Sequence, residues 1–222
     1  ETKIRYPGFN YSFDGVYVEH GQQYHIVNRF DPNQLFLSQG LKEPILNIPW
    51  GTYFVIKYLN RIKLKRPHID RVIPFGRYLF ASLFFDTGFA LSAIFKLLVF
   101  FFGRQLDWHP EKKNPILTSL RILRDLSLYP SLEKYASQIL KGNKYHTVVF
   151  GHTHSPMFRK IGKDKIYLNT GTWNDLIHLD IGNLGRQRRM TYGYIEYDKS
   201  GKPQARLKIW KGTRLVEEDV IF

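Results

Sequence analysis

Two histidines lie one residue apart in Gly151-His152-Thr153-His154-Ser155-Pro156, directly after the apolar run Thr147-Val148-Val149-Phe150. Neutral imidazole is the commonest metal-ligand side chain. A His-x-His pair in a loop can aim two rings at neighbouring points, and a glycine before it lets the backbone turn sharply off a strand. A second strand ends in Val18-Glu19-His20-Gly21, where a lone His before Gly is more often a turn residue than a ligand. A third stretch, Tyr167-Leu168-Asn169-Thr170-Gly171-Thr172-Trp173, runs from a strand into a small polar turn. Its Asn and Thr could simply satisfy turn backbone groups. Separately the last two mean little. In this order along one chain, the three are specific.

The chemistry of these motifs resembles that of the calcineurin-like metallophosphoesterases, over the C-terminal half of that family. Val148–Pro156 looks like the family's last metal-binding motif, Tyr17–Gly21 like its preceding His-Gly motif, and Leu168–Trp173 like the Asn-Thr-Gly-Ser-Trp strand that follows. The resemblance covers roughly residues 9–31 and 145–198. It implies an α/β fold, part of a four-layer α/β/β/α sandwich holding two divalent ions at its strand ends. By that likeness His20 and His152 would bind one metal and His154 the other. The implied reaction is hydrolysis of a phosphoester or pyrophosphate by a metal-bridging water. Two adjacent cations lower the pKa of a bound water and stabilise the charged oxygens of an in-line displacement. Mn²⁺ is the first expectation, with Fe or Zn²⁺ also suited to imidazole and carboxylate ligands. The family's Asp-x-His, Gly-Asp and Gly-Asn-His motifs have no counterpart in the 19 residues before His20. The chain is therefore expected to be N-terminally truncated, without catalytic residues of its own and inactive alone.

Three further residues are candidates for holding substrate. His25 follows the His-Gly loop closely and either contacts substrate or is a surface polar residue. Arg188 and Arg189, in Arg186-Gln187-Arg188-Arg189, could grip phosphate with guanidinium forks or line a solvated loop. His68, His109, His146 and His178 show no ligand spacing and read as structural. Lys63-Leu64-Lys65-Arg66 reads as a charged helix face.

The elements that must position these residues are legible in outline. Phe9, Tyr11 and Phe13 alternate with polar residues, and Asp14-Gly15 is a strong hairpin signal leading into the strand that ends at His20. Residues 45–143 read as mainly helical. Leu132, Tyr135, Ala136, Ile139 and Leu140 form one apolar stripe, with Ser131 as expected N-cap and Gly142 as the residue past the C-terminus. Ile116, Leu120 and Leu123 make a similar stripe. Strands are expected at Lys165–Leu168, Thr191–Tyr197 and Ala205–Trp210, the last two joined by a turn over 199–203. The domains expected are a phosphoesterase core over 1–34 and 145–222, and a helical, hydrophobic cap over 35–144.

Composition bounds the partners. With 222 residues, 43% hydrophobic and 16% aromatic, the chain can bury a core and is not disordered. It has no cysteine, which excludes disulfides, thiolate metal sites and cysteine nucleophiles, and fits a cytoplasmic location. The net charge of +14 suggests an anionic partner. Nucleic acid is not expected, because no helix-turn-helix, zinc or RNP-type signature is present. Most of the basic excess flanks Phe75–Phe102, which holds 9 of the 17 phenylalanines. In position this insertion is similar to the cap of the UDP-2,3-diacylglucosamine hydrolases. If His20 and His152 share a metal, a single membrane crossing between them is excluded, and 28 residues are too few for two crossings. An amphipathic lid in the membrane interface is the expectation, against a buried cap as the plainer reading. The substrate expected is a phosphorylated small molecule or lipid; the alternative function is a non-catalytic binding module at a membrane surface.

Overall fold

The computed structural model describes residues 7–73, 75–107, 131–179 and 184–212. It is a mixed α/β protein, and its chain divides into two compact units. One comprises Glu1–Gly21, Ser131–Asp175 and Arg188–Phe222; the other comprises Gln22–Pro130 and Leu176–Gln187. Residues 22–34 thus group with the helical unit, and the helix after Ser131 groups with the sheet.

The first unit is built on a mixed sheet. Strands β1 (Asn10–Phe13) and β2 (Val16–Glu19) pair as an antiparallel hairpin. Its turn residues Asp14 and Gly15 have φ of 39° and 78°, the double positive φ that a two-residue type I′ turn requires. β2 pairs in parallel with β6 (Thr147–Phe150), and β6 in parallel with β8 (Lys165–Asn169). β7 (Met157–Ile161) closes the far edge antiparallel to β8, giving the order β1-β2-β6-β8-β7. Side chains alternate between faces, so adjacent Tyr167 and Leu168 point to opposite sides. Both are buried, at 1% and 0% exposure, so the sheet is covered twice.

Helix α5 (Glu133–Leu140) covers one face, touching β6 and β8, with Leu132, Ala136 and Leu140 buried at i, i+4 and i+8. The hairpin of β11 (Thr191–Tyr197) and β12 (Pro203–Ile209) covers the other, with β12 against β6, β7 and β8. Asp198 ties its turn, accepting from the Ser200 hydroxyl at 2.6 Å and the Lys202 amide at 3.0 Å. The caps of α5 differ from expectation. Leu132, not Ser131, is the N-cap and makes no side-chain bond, and Gly142 is not left-handed. The Lys165 ammonium instead donates to the carbonyls of Leu140 and Gly142, completing the helix end from a neighbouring strand.

The second unit contains a helical path of α1 (Trp50–Phe54), a π-helical turn over Val55–Leu59 and α2 (Asn60–Lys63). Helices α3 (Phe75–Phe85) and α4 (Thr87–Asp107) pack together. The core gathers Phe54, Tyr58, Ile62, Ile69, Phe89 and Ala93. The buried Tyr58 hydroxyl donates to the Ala93 carbonyl at 3.1 Å, and burial raises its pKa. Part of the supposed charged face is paired: Lys63 bridges Asp70 at 2.6 Å, and Arg66 pairs with Asp86. The block expected to be mainly helical also contains strands. β4 (Ile45–Leu46) pairs with β3 (Phe36–Leu37), and β5 (Val72–Ile73) pairs in parallel with β9 (Leu176–His178). β10 (Gly185–Gln187) extends that small sheet. The stripe of Ile116, Leu120 and Leu123 and the residue His109 lie outside the described residues. Among those described, no helix is long and apolar enough to cross a membrane.

Candidate metal centre

Because β2, β6 and β8 are parallel neighbours, their carboxyl ends reach the same edge of the sheet. In open sheets with parallel strands that edge is where ligands bind. All three sequence motifs emerge there. The ladder continues into the loops: the Gly151 amide donates to the His20 carbonyl at 3.1 Å, and the Thr170 amide to the Phe150 carbonyl at 2.9 Å. The rings of His20 and His152 meet edge to face, with centroids 5.3 Å apart and planes at 72°.

The His-x-His loop is strained. His152 has a φ of 66° and His154 a φ of 59°. Among the described residues, the only other non-glycine residue at positive φ is Asp14, in its hairpin turn. Such backbone costs about 1–3 kcal/mol per residue and persists only where surroundings over-determine it. The chain turns tightly at His152, with the Thr153 amide donating to the Gly151 carbonyl at 2.8 Å. Glycine or asparagine would take these positions more cheaply, and histidine stands there twice.

Asn169 over-determines the loop. It is 1% exposed, and its Nδ2 donates to the Gly151 carbonyl at 2.7 Å and the Thr153 hydroxyl at 3.0 Å. Its Oδ1 accepts the Gly171 amide at 3.0 Å. The residue read as turn filler is a staple between two loops. Gly171 follows at φ 70°, where an added Cβ would lie 3.0 Å from both Pro156 and the Thr191 hydroxyl. Thr191 donates to the Thr170 carbonyl at 2.6 Å, and the Trp173 indole donates to the Thr191 carbonyl at 2.8 Å. The polar turn is thereby fastened to the covering hairpin. Beneath His20, Gly21 has a φ of 96°, and a Cβ there would come within 2.8 Å of Leu132. Any other residue there would be strained by that φ and would push the Leu132 side chain aside.

Comparison with known proteins returns nothing. No family model, curated protein or solved structure matches this chain. The site must be judged on its own donors.

His154 is solvent-exposed, yet partial desolvation, followed by the nearby His20, lowers its pKa below the usual histidine value of 6.5. That favours the neutral ring, the ligand form. Donor chemistry therefore fits a divalent transition ion. Donor number is smaller than a closed site needs: among the described residues, no group of three or more His, Asp or Glu side chains is placed to hold an ion. The structure brings His20 and His152 into ring contact, with His154 in the same loop set. Arg188 reaches the third motif, its Nε donating to the Trp173 carbonyl at 3.3 Å, and Arg189 beside it is exposed. His25 belongs to the second unit. It is not a surface residue, being 9% exposed with Nδ1 2.9 Å from the Asn28 amide nitrogen. A single residue missed by its bland reading, Asn169, proves central. Its signal was the position of an Asn at the end of a buried parallel strand.

Proposed function

We propose that this chain carries the imidazole side of a metal-dependent hydrolase centre for phosphoesters or pyrophosphates, within part of a four-layer metallophosphoesterase sandwich. One observation carries the reading: both members of the His-x-His pair sit at left-handed φ beside His20, at the shared edge of three parallel strands. His20 and His152 would hold one divalent ion and His154 a second, Mn²⁺ first, with Fe or Zn²⁺ as alternatives. When bound, such ions supply a water activated for attack on phosphorus and neutralise charge on the phosphate oxygens.

The chain's own residues do the rest. Asn169 fixes the direction of both loop histidines through the Gly151 carbonyl and Thr153 hydroxyl. Desolvation keeps the His154 ring in its lone-pair form. Arg188 and Arg189 would face the anionic head of a phosphorylated small molecule or lipid, a geometry that guanidinium forks suit.

The test is a Mn²⁺ titration followed by electron paramagnetic resonance of the free ion. Binding should be lost in His152→Ala and kept in His178→Ala, whose ring lies in the β5–β9 sheet. Equal affinity in the wild type and His152→Ala would refute the assignment. Release of p-nitrophenol from an aryl phosphate, stimulated by Mn²⁺ and lost in the same variant, marks the hydrolase.

A further inference from the structure

Helices α3 and α4 are apolar on both sides. Their inner faces supply Tyr78, Leu79, Phe89, Ala93 and Leu97 to the core of the second unit. Their outer faces are also apolar. Phe80 is 65% exposed, Phe84 71%, Phe85 90%, Leu91 58%, Phe95 67% and Leu98 49%. Single exposed apolar residues are ordinary, whereas a contiguous set marks an interaction surface. These are contiguous. Phe80 and Phe84 are one turn apart with ring centroids at 5.5 Å, and Leu91, Phe95 and Leu98 follow at i, i+4 and i+7. Phe84 and Phe85 end α3 at the one-residue break at Asp86, so the barest of these side chains form a tip where α3 and α4 join.

Charge selects what covers this face. Residues 41–77 carry 8 basic and 2 acidic side chains, and the acidic Asp70 is bridged by Lys63. Asp86, between α3 and α4, is paired with Arg66, whose guanidinium also lies 5.0 Å over the Phe89 ring. Lys57, Arg61, Lys65, Arg71 and Arg77 are exposed. Arg77 shares the outer stripe of Phe80 and Phe84, at the end of α3 away from the tip. Two copies meeting on this face would set like charge against like. An anionic surface with an apolar interior is complementary to both features.

We infer that the α3–α4 helix pair docks on an anionic lipid bilayer, its Phe84–Phe85 tip entering the interface and the basic residues of 57–77 meeting the headgroups. With 11 residues, α3 is about 16 Å long, so it lies in the interface and does not traverse it. The inference stands independently of the metal reading, since none of its residues belongs to the candidate centre.

The test is flotation of the full chain with phosphatidylcholine vesicles, with and without phosphatidylglycerol, at low and high salt. Binding should require phosphatidylglycerol and weaken with salt. Replacing Phe84 and Phe85 together by Asp should lower partitioning by about tenfold or more, and Arg77→Gln, which removes one charge, by about fivefold. Because the chain has no cysteine, Phe85→Cys gives a unique attachment point for a polarity-sensitive fluorophore. Its emission should shift to the blue on anionic vesicles, while the same label on Ser200→Cys should not move. No flotation, equal binding to neutral vesicles, or an unshifted label at position 85 each overturns the proposal. So does a concentration-dependent dimer in solution that the double Asp variant abolishes, because it assigns the face to a second copy.

Discussion

Replacing His154 by Gly should stabilise the protein, and replacing it by Ala should not. His154 is exposed, so the substitution removes little packing, and its φ of 59° is left-handed. A Cβ in that region costs about 1–2 kcal/mol. Glycine relieves this but adds about 0.5–1 kcal/mol of unfolded-chain entropy. The two partly cancel, leaving a net gain of about 0.5–1 kcal/mol for His154→Gly. Alanine keeps the Cβ and so keeps the strain. The Gly variant should therefore be the more stable of the pair, the reverse of the order in a helix interior. Urea denaturation of the two variants and the wild type reads the difference as a change in midpoint at constant slope. Mn²⁺ titration of the same proteins should show weaker binding in both. If Ala equals or exceeds Gly in stability, the loop is not strained at this residue, and the claim that histidine is kept there at a cost fails.

Two other perturbations probe the frame around the site. Asn169→Leu deletes three hydrogen bonds at about 1 kcal/mol each and takes from the Gly171 amide its Asn169 acceptor, so unfolding should come about 3 kcal/mol more easily. Mn²⁺ affinity should fall about tenfold with it, and unchanged affinity would show that the staple does not set the direction of the histidines. Asp198 has its pKa pulled from 3.8 down to about 2 by hydrogen bonds from Ser200 and Lys202. A depressed carboxyl stabilises the fold above the unfolded value and loses that contribution as pH falls through the folded one. Wild-type stability should thus decline between about pH 4 and pH 2 more steeply than that of Asp198→Asn, as read by thermal melts across that range.

What could be read from the residues alone was what local chemistry determines. Asp14-Gly15 admits few backbones but a type I′ turn, and the unbroken apolar run Val148-Val149-Phe150 leaves little choice but a strand buried on both sides. The strands expected from Thr191 and Ala205 formed within two residues of expectation. What escaped depends on distant partners. Gly142 looked like the residue that ends the helix because glycine turns a chain locally, while that end is completed by Lys165, a residue of β8. β7 hid because Met157-Phe158-Arg159-Lys160-Ile161 lies at a sheet edge with exposed residues running together, so no alternation marks it. β5 and β9 are two and three residues long, below the length at which a period can be seen, and they pair across a hundred residues of chain. At the site, the imidazoles were visible as types and spacing. Asn169 was not, because its partners sit on a neighbouring loop and its role exists only once β6 and β8 are side by side.

The parallel seam between β2 and β6 has a consequence for synthesis. Val16 pairs with Thr147, so the inner edge of β2 has no partner until residues 20–146 have been made. At typical translation rates that wait is on the order of ten seconds. Meanwhile the β1–β2 hairpin can form within microseconds of its emergence, displaying an open edge beside a helical stretch rich in phenylalanine. Such an edge is a template for pairing with other chains. The nascent protein is accordingly most exposed to aggregation before its His152–His154 loop exists, and a chaperone that shields residues 10–19 would act at that stage and at no later one.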